Sequence, residues 1–119
     1  MQRLSFNADS AFTPRERLLE GVTIAPLTEP VSAGGPVQAA IFRLAPNGRI
    51  ARHPATVPQI LAVLEGSGSV CGADGDFQPI SAGEAVFWSQ GEEHETRTDH
   101  GLTALVIEGE GLQPARPRQ

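Results

Sequence analysis

The sequence is poor in several features that point to particular classes of protein. It contains no lysine, its nine arginines are scattered along the chain, and its formal net charge is −5. Binding to nucleic acid or to an anionic membrane surface requires clustered basic residues, so neither partner is expected. The only cysteine is Cys71, which excludes an internal disulfide framework.

Long apolar segments are also missing. No stretch approaches the length that spans a bilayer, and the first twelve residues, MQRLSFNADSAF, hold no continuous apolar segment of the signal-peptide type. The sequence therefore predicts a cytoplasmic protein. A length of 119 residues is typical of one domain with one core.

Glycine and proline are abundant and evenly spread, with 13 glycines and 10 prolines. They separate short β-branched or alternating runs, which is the pattern of many short strands joined by turns. The predicted strands cover residues 21–27, 37–45, 49–53, 59–66, 83–89, 94–98 and 102–110, with two more on either side of the hairpin pair Asp74-Gly75. The one predicted helix is the short segment TPRERLLEG, with Thr13 as its N-cap and Gly21 near its end.

An all-β fold follows from this count of strands. It is expected to be a barrel or sandwich of antiparallel sheets, because closure removes exposed sheet edges. Three regions are predicted: an N-terminal segment over residues 1–36 with the short helix and a first strand, a β-barrel over residues 37–112, and a frayed, proline-rich tail over residues 113–119. The apolar runs QILAVLEG and LTALVIEG are both expected to be buried.

A spaced motif lies in the segment GEAVFWSQGEEHETRT. Gly83 is followed by five residues, then by Ser89, Gly91, His94 and Thr98 at fixed intervals. This spacing resembles the second cupin motif, G-x5-P-x-G-x2-H-x3-N, with Ser in place of Pro and Thr in place of Asn.

An upstream segment resembles the first cupin motif, G-x5-H-x-H-x(3,4)-E-x6-G. Six residues separate Gln59 from Gly66, as six residues separate the motif's Glu from its Gly, and His53 stands among the expected histidines. The chain is thus similar to the small single-domain cupins of the RmlC-like superfamily with a type-2 conserved barrel. The resemblance implies a jelly-roll β-barrel of two antiparallel sheets.

The resemblance also implies a divalent-metal site, which in cupins uses two His and a Glu of the first motif and the His of the second. In this chain one His is absent, and the register of His53 stays open. Ala51 replaces the first His if His53 is the second, whereas Ala55 replaces the second if His53 is the first. The acidic ligand has become Gln59, so the remaining candidate ligands are His53, Gln59 and His94.

These three residues are expected to converge on an apolar-walled pocket inside the barrel. They carry no negative charge, while Fe, Ni, Zn or Mn sites usually include a carboxylate, a thiolate or a third imidazole. Two functions remain open: a metal-dependent enzyme of dioxygenase or isomerase type, and a non-catalytic cupin that binds a small molecule without metal. An empty structural or dimerisation module is a third reading. No catalytic residue or ligand is identified.

Several other residues receive ordinary structural roles. Cys71 is expected to be a packed residue, His100 a turn residue, and Glu93 and Glu95 are expected to point away from the barrel interior if His94 points inward. One of the adjacent residues Phe87 and Trp88 is expected to face the core. Arg43 and Arg97 would reach an acidic ligand only if they faced inward. The N-terminal segment before Val37 has few partners of its own, so a homodimer is predicted.

Overall fold

The computed structural model describes residues 1–15, 20, 23–31 and 34–116. In that part of the chain the regular structure is almost entirely β, which confirms the predicted fold class. The strands are β1 (Gln2–Ser5), β2 (Val37–Leu44), β3 (Arg49–Pro54), β4 (Gln59–Cys71), β5 (Gln78–Ser81), β6 (Glu84–Trp88), β7 (Glu93–Arg97) and β8 (Leu102–Gly109).

The strands form two antiparallel sheets that share the long strand β4. The first sheet has the order β1-β6-β4-β8-β2 and uses the first half of β4. The second sheet has the order β5-β4-β7-β3 and uses its second half. The result is the jelly-roll barrel that the sequence predicted.

β4 passes from one sheet to the other near Gly66. The pairing of β4 with β8 shifts register between Val63 and Glu65, and Gly66 has a positive φ of 81°. A Cβ atom at this position would overlap the carbonyl oxygen of Gly101. Glycine is therefore required at position 66 both for the positive φ and for the close approach of the turn that contains Gly101.

The apolar side chains form two cores on opposite faces of the first sheet. The barrel interior holds Ala55, Leu61, Val63, Val70, Ile80, Val86, Trp88, Leu102, Ala104 and Val106. The outer face holds Ile60, Ala62, Ala85, Phe87 and Leu112, with Leu4, Phe6 and Leu27 packed against them. Alternation along β6 thus places Trp88 inside and Phe87 outside, as predicted.

Burial of the two apolar runs is more uneven than predicted. β4 is buried from Ile60 to Val63, but the next four residues are exposed. In β8 full burial alternates with partial burial up to Val106, because one face of the strand lines the barrel while the other is only partly covered.

The N-terminal segment differs from the prediction. Its strand is β1, which pairs with β6, whereas in the described part of the predicted strand 21–27 there is a single bridge between Phe12 and Ile24. A short 3-10 turn, Ala8–Ser10, is capped by Asn7. The predicted helix falls mainly on residues 16–19 and 21, which lie outside the described residues.

The start of the predicted frayed tail is hydrogen-bonded. Thr28 and Pro114 form a bridge, and the amide of Ala115 donates to the carbonyl of Leu27 at 3.0 Å. Leu112, which is 1% exposed, packs on the outer core just before this segment. Residues 117–119 lie outside the described residues.

Candidate functional site

His53 and His94 face each other across two neighbouring strands. They are direct partners in the β3–β7 pairing, and their ring centroids lie 4.4 Å apart. The pairing shifts register between Ile50 and His53, so that Ile50 opposes Thr96 while His53 opposes His94. This bulge puts Ile50 and His53 on the same face although they are three residues apart.

Each imidazole is held by a backbone carbonyl two residues earlier in the chain. Nδ1 of His53 lies 2.7 Å from the oxygen of Ala51, and Nδ1 of His94 lies 3.0 Å from the oxygen of Glu92. Because a carbonyl oxygen only accepts, each Nδ1 must carry the hydrogen. In this tautomer each unprotonated Nε2 atom keeps its lone pair, the arrangement found in histidines that bind metals.

The two histidines differ in exposure. His94 is 2% exposed, whereas the His53 side is open to solvent. Burial lowers the pKa of His94, and the neighbouring His53 lowers it further, against the opposing effect of the hydrogen bond to Glu92. His94 is thus held in the neutral form that can accept a hydrogen bond or coordinate a metal.

Trp88 forms the wall beside His94. The two rings are stacked, with centroids 4.4 Å apart and an angle of 28° between their planes. Trp88 is fully buried, and its indole Nε1 donates to the carbonyl oxygen of Cys71 at 3.2 Å. The sequence indicated only that Phe87 or Trp88 faces the core, so this contact with a candidate ligand was missed.

Gln59 is paired with Glu108, an acid that the sequence analysis did not single out. Gln59 is the Cα partner of both Trp88 and Glu108, and its Nε2 donates to Oε1 of Glu108 at 2.6 Å. Since a carboxylate only accepts, this bond fixes the orientation of the Gln59 amide. The alternation of Leu102, Ala104 and Val106 in β8 would have indicated that Glu108 shares their inward face.

A small cavity lies beside Glu108 on the inner face of β2 and β8. Its volume is about 60 Å³, and its lining residues are Gln38, Ala40, Phe42, Val106 and Glu108. The walls are mainly apolar with one carboxylate and one amide. The barrel therefore offers room for a small group next to the Gln59–Glu108 pair.

The structure thus places the three predicted ligands in two separate groups. His53 and His94 are in contact with each other, whereas Gln59 contacts Glu108 and is linked to His94 through the neighbouring Trp88. In the described part of the chain, no group of three or more His, Cys, Asp or Glu residues could hold a metal ion.

The inner position after His53 is occupied by Ala55. Ala55 is 3% exposed and belongs to the interior core, while Ala51 is exposed. The amide of Ala55 donates to the carbonyl of Glu92 at 3.0 Å, and the carbonyl of Ala55 accepts from the amide of Gly91 at 2.7 Å. This supports the register in which Ala55 replaces the second His.

The remaining candidates have the predicted structural roles. Cys71 is 1% exposed, and burial, aided by Glu95, raises the pKa of its thiol, which opposes reactivity. Glu95 binds Arg97 at 2.9 Å. Arg97 is paired with Ser69, one position from the inward-facing Thr96, so it points out of the barrel, and Arg43 likewise alternates with inward-facing neighbours.

The comparisons with known proteins agree with this fold. Residues 40–108 match the model of the cupin domain family. A predicted oxalate decarboxylase from Thermotoga maritima is 26% identical with a TM-score of 0.54, over 58% of this chain and 62% of that protein, so the chain spans less than two thirds of its length. No match is found among curated proteins.

Two further solved structures share the fold at lower identity. An RmlC-like cupin from Shewanella frigidimarina is 20% identical with a TM-score of 0.57, over 67% of this chain and 68% of that protein. Drosophila melanogaster CENP-C, solved bound to CAL1, is 19% identical with a TM-score of 0.53, over 60% of this chain and 63% of that protein.

The family model covers more than half of the chain and includes every residue of the two histidine-bearing motifs. Within the described residues, no helix is long and apolar enough to cross a membrane. The barrel, the motif spacing and the family match lead to one assignment: the chain belongs to the cupin domain family.

Proposed function

We propose that the barrel binds a small molecule at the His53–His94 pair, and that this pair also holds a divalent transition metal weakly. The observation that carries the proposal is the fixation of both Nδ1 atoms by backbone carbonyls. It leaves two Nε2 lone pairs on adjacent rings whose centroids are 4.4 Å apart.

The residues present fit a weak metal site better than a site with a full set of protein ligands. Neutral imidazoles suit Zn, Fe and Ni, and Mn prefers oxygen ligands. The pair supplies no negative charge, and the described residues add no third ionisable donor. The amide oxygen of Gln59 is the one further protein donor that the motif provides, and water or the bound molecule would complete the coordination. A bound metal would polarise the ligand as a Lewis acid.

Small acids are the first ligands to test. A bound metal attracts carboxylates, and the similar Thermotoga protein is a predicted oxalate decarboxylase. Trp88 is fully buried behind His94, so the ligand would approach the pair from the exposed His53 side. The proposal therefore concerns the binding of a small acid.

Metal titration by calorimetry tests the proposal. Protein without a His-tag is titrated with Ni, Zn, Fe and Mn, and the wild type is compared with His53→Ala and His94→Ala. Both substitutions are expected to abolish binding, because each removes one of two imidazoles. His100→Ala is the matched control, since His100 lies in an exposed turn, and it should bind like the wild type.

A wild type that binds none of the four metals would overturn the metal part of the proposal. A wild type and His94→Ala protein that bind equally would place the metal elsewhere. The second candidate function, a small-molecule-binding cupin without metal, is favoured by the stacking of Trp88 on His94. In that case oxalate and related small acids should bind the metal-free protein and fail to bind His94→Ala.

The proposal includes a homodimer formed through β2. In the described part of the chain β2 pairs with β8 alone, which leaves the other edge of an eight-residue strand unpaired. Val37 and Ile41 on its outer face are 52% and 46% exposed. A second copy that pairs antiparallel with this edge would satisfy its backbone groups and cover both side chains.

A cytosolic location is also proposed. Cys71 is buried and free, and free thiols persist in the reducing cytosol. Fractionation of cells that produce the protein tests this, with recovery in the cytosolic fraction as the expected result and recovery outside it as the contradicting one.

A further inference from the structure

A second cleft lies on the outer face of the second sheet, at the end of β7 opposite His94. Its volume is about 340 Å³, and its polar lining includes Ser67, Ser69, Arg97, Asp99 and His100, with Phe77 as its aromatic wall. None of these residues belongs to the histidine site. The cleft therefore presents separate chemistry on the outside of the barrel.

Arg97 is fixed in this cleft from two directions. Its Nε donates to Oε2 of Glu95 at 2.9 Å, and its guanidinium carbon lies 4.2 Å from the centre of the Phe77 ring. The Glu95 side chain is only 10% exposed, while that of Arg97 is 52% exposed. An anchored Nε and a stacked plane leave the two terminal amino groups as an ordered fork, which matches the geometry of a carboxylate or phosphate.

A second arginine stands beside the first. Arg49 is the direct cross-strand partner of Arg97, so the two side chains leave the sheet on the same face. Like charges at directly opposed positions are destabilising, and among the described residues Glu95 is paired with Arg97 alone. In the described part of the chain, no carboxylate forms an ion pair with Arg49.

The floor and rim of the cleft are formed by backbone in close contact. A Cβ atom at Gly68 would overlap the carbonyl oxygen of Arg97, so glycine is required for the close approach of β4 and β7 beneath the cleft. Thr98 Oγ1 donates to the carbonyl of Ser67 at 2.7 Å and accepts from the amide of Gly101 at 2.9 Å. These bonds hold the turn that carries Asp99 and His100 in place.

We propose that this cleft binds the oxyanion group of a small organic molecule, a carboxylate or a phosphate, through the terminal amino groups of Arg97. The hydroxyl groups of Ser67 and Ser69 are additional donors, and Phe77 provides an apolar surface for the body of the ligand. Arg49 adds a positive field from the next strand. Asp99 opposes an anion and keeps the affinity modest.

NMR titration of the ¹⁵N-labelled protein tests the proposal. Benzoate, acetate and inorganic phosphate are added at constant ionic strength, with sodium chloride as the balancing salt. Saturable shifts are expected at the Gly68 amide and at the Arg97 Nε–H. Tighter binding of benzoate than of acetate supports a carboxylate ligand with an apolar body, whereas binding of phosphate alone supports a phosphate ligand. The absence of saturable shifts with all three probes overturns the proposal.

Two substitutions at Arg97 distinguish the contribution of its planar guanidinium to anion binding from the contribution of its charge. Arg97→Gln should weaken binding about tenfold or more, since it removes charge-assisted hydrogen bonds. That variant leaves the buried Glu95 without its partner, so Arg97→Lys is measured as well. It retains the charge but loses the planar fork and should bind several-fold more weakly. Arg116→Gln is the control, because Arg116 is exposed and pairs with Glu29 elsewhere. Equal binding by the wild type and both Arg97 variants overturns the proposal.

A substitution at Asp99 should change the affinity for anions in the opposite direction. Asp99→Asn removes a negative charge from the cleft and should tighten anion binding about two- to threefold. Glu110→Gln removes the same charge outside the cleft and should leave the affinity unchanged. Weaker binding by Asp99→Asn would mean that the cleft attracts cations, which contradicts the proposal.

Discussion

Replacement of Gln59 by Glu is the most informative single change in the barrel. The first cupin motif has Glu at this position, so the substitution restores the family pattern. In this structure, however, Gln59 Nε2 donates to Glu108 Oε1 at 2.6 Å. Gln59→Glu therefore removes the donor and sets two carboxylates against each other, and we expect the metal-free variant to be destabilised.

The magnitude follows from the repulsion of two unit charges. At a separation of about 4 Å the energy is about 4 kcal/mol for an effective dielectric constant of about 20, and about 1 kcal/mol for bulk water. Both side chains are only partly buried, so the loss should fall between these limits. It corresponds to a decrease in melting temperature of roughly 3–6 °C for each kcal/mol in a domain of this size.

The loss should depend on pH in a defined direction. Two adjacent carboxylates share a proton, which raises the pKa of one above its value in the unfolded chain. The variant should therefore approach wild-type stability below the unfolded pKa of Glu, about 4.3, and lose stability as the pH rises through the raised folded value.

Urea denaturation of the wild type and Gln59→Glu in acid and at neutral pH measures this difference. The double variant Gln59→Glu with Glu108→Gln restores a carboxylate–amide pair and should recover most of the stability at neutral pH. An equal loss at both pH values, or no recovery in the double variant, would show that the repulsion is not the cause.

Metal ions connect this change to the proposed function. A divalent cation held by the histidines and residue 59 would offset the added charge, so Ni or Zn should raise the melting temperature of Gln59→Glu more than that of the wild type. If neither protein responds to metal, the carboxylate pair still gives the pH effect, but the metal proposal is refuted.

Three further outcomes are expected. Burial lowers the pKa of His94 below its usual 6.5, so the wild type should lose stability as the pH falls from that value toward the folded pKa. In urea titrations His94→Gln should flatten this pH dependence of stability, whereas the control His100→Gln should leave it unchanged. Gly66→Ala, which meets the Gly101 carbonyl, should lower the melting temperature clearly more than Gly75→Ala, which has a similar φ but open space. Ile41→Glu should convert the proposed dimer to a monomer in sedimentation at micromolar concentration, whereas an unchanged sedimentation coefficient would remove β2 as the interface.

The strands were predictable because local turn chemistry marks their ends. Asn47 has a positive φ of 65° in the turn before β3, as is typical of asparagine in a Pro-Asn-Gly turn. The pair Asp74-Gly75 lies between β4 and β5, although the connection is longer than a two-residue hairpin. β1 was missed because the sequence QRLS has no alternation, and its strand conformation depends on pairing with β6.

The site was harder to predict because its geometry depends on contacts between strands. Period-two alternation places Ile50 and His53 on opposite faces, and only the bulge in the β3–β7 pairing puts both of them on the face that carries His94. The motif spacing identified His53 and His94 as neighbours. It gave no sign that Trp88 would stack on His94, since this depends on which rotamer the indole adopts within the packed interior.

The placement of charge explains why this barrel differs from the motif that it resembles. In the family pattern a carboxylate stands at position 59, whereas here the carboxylate belongs to Glu108 on the adjacent strand and is held by the Gln59 amide at 2.6 Å. In the described part of the chain no cation forms an ion pair with Glu108. Its negative charge therefore acts on the pocket through space and through the oriented amide. If the barrel holds a metal as proposed, a carboxylate on the adjacent strand attracts the cation through space, so Glu108→Gln should weaken metal binding in calorimetric titration, and equal binding by this variant and the wild type would contradict that role.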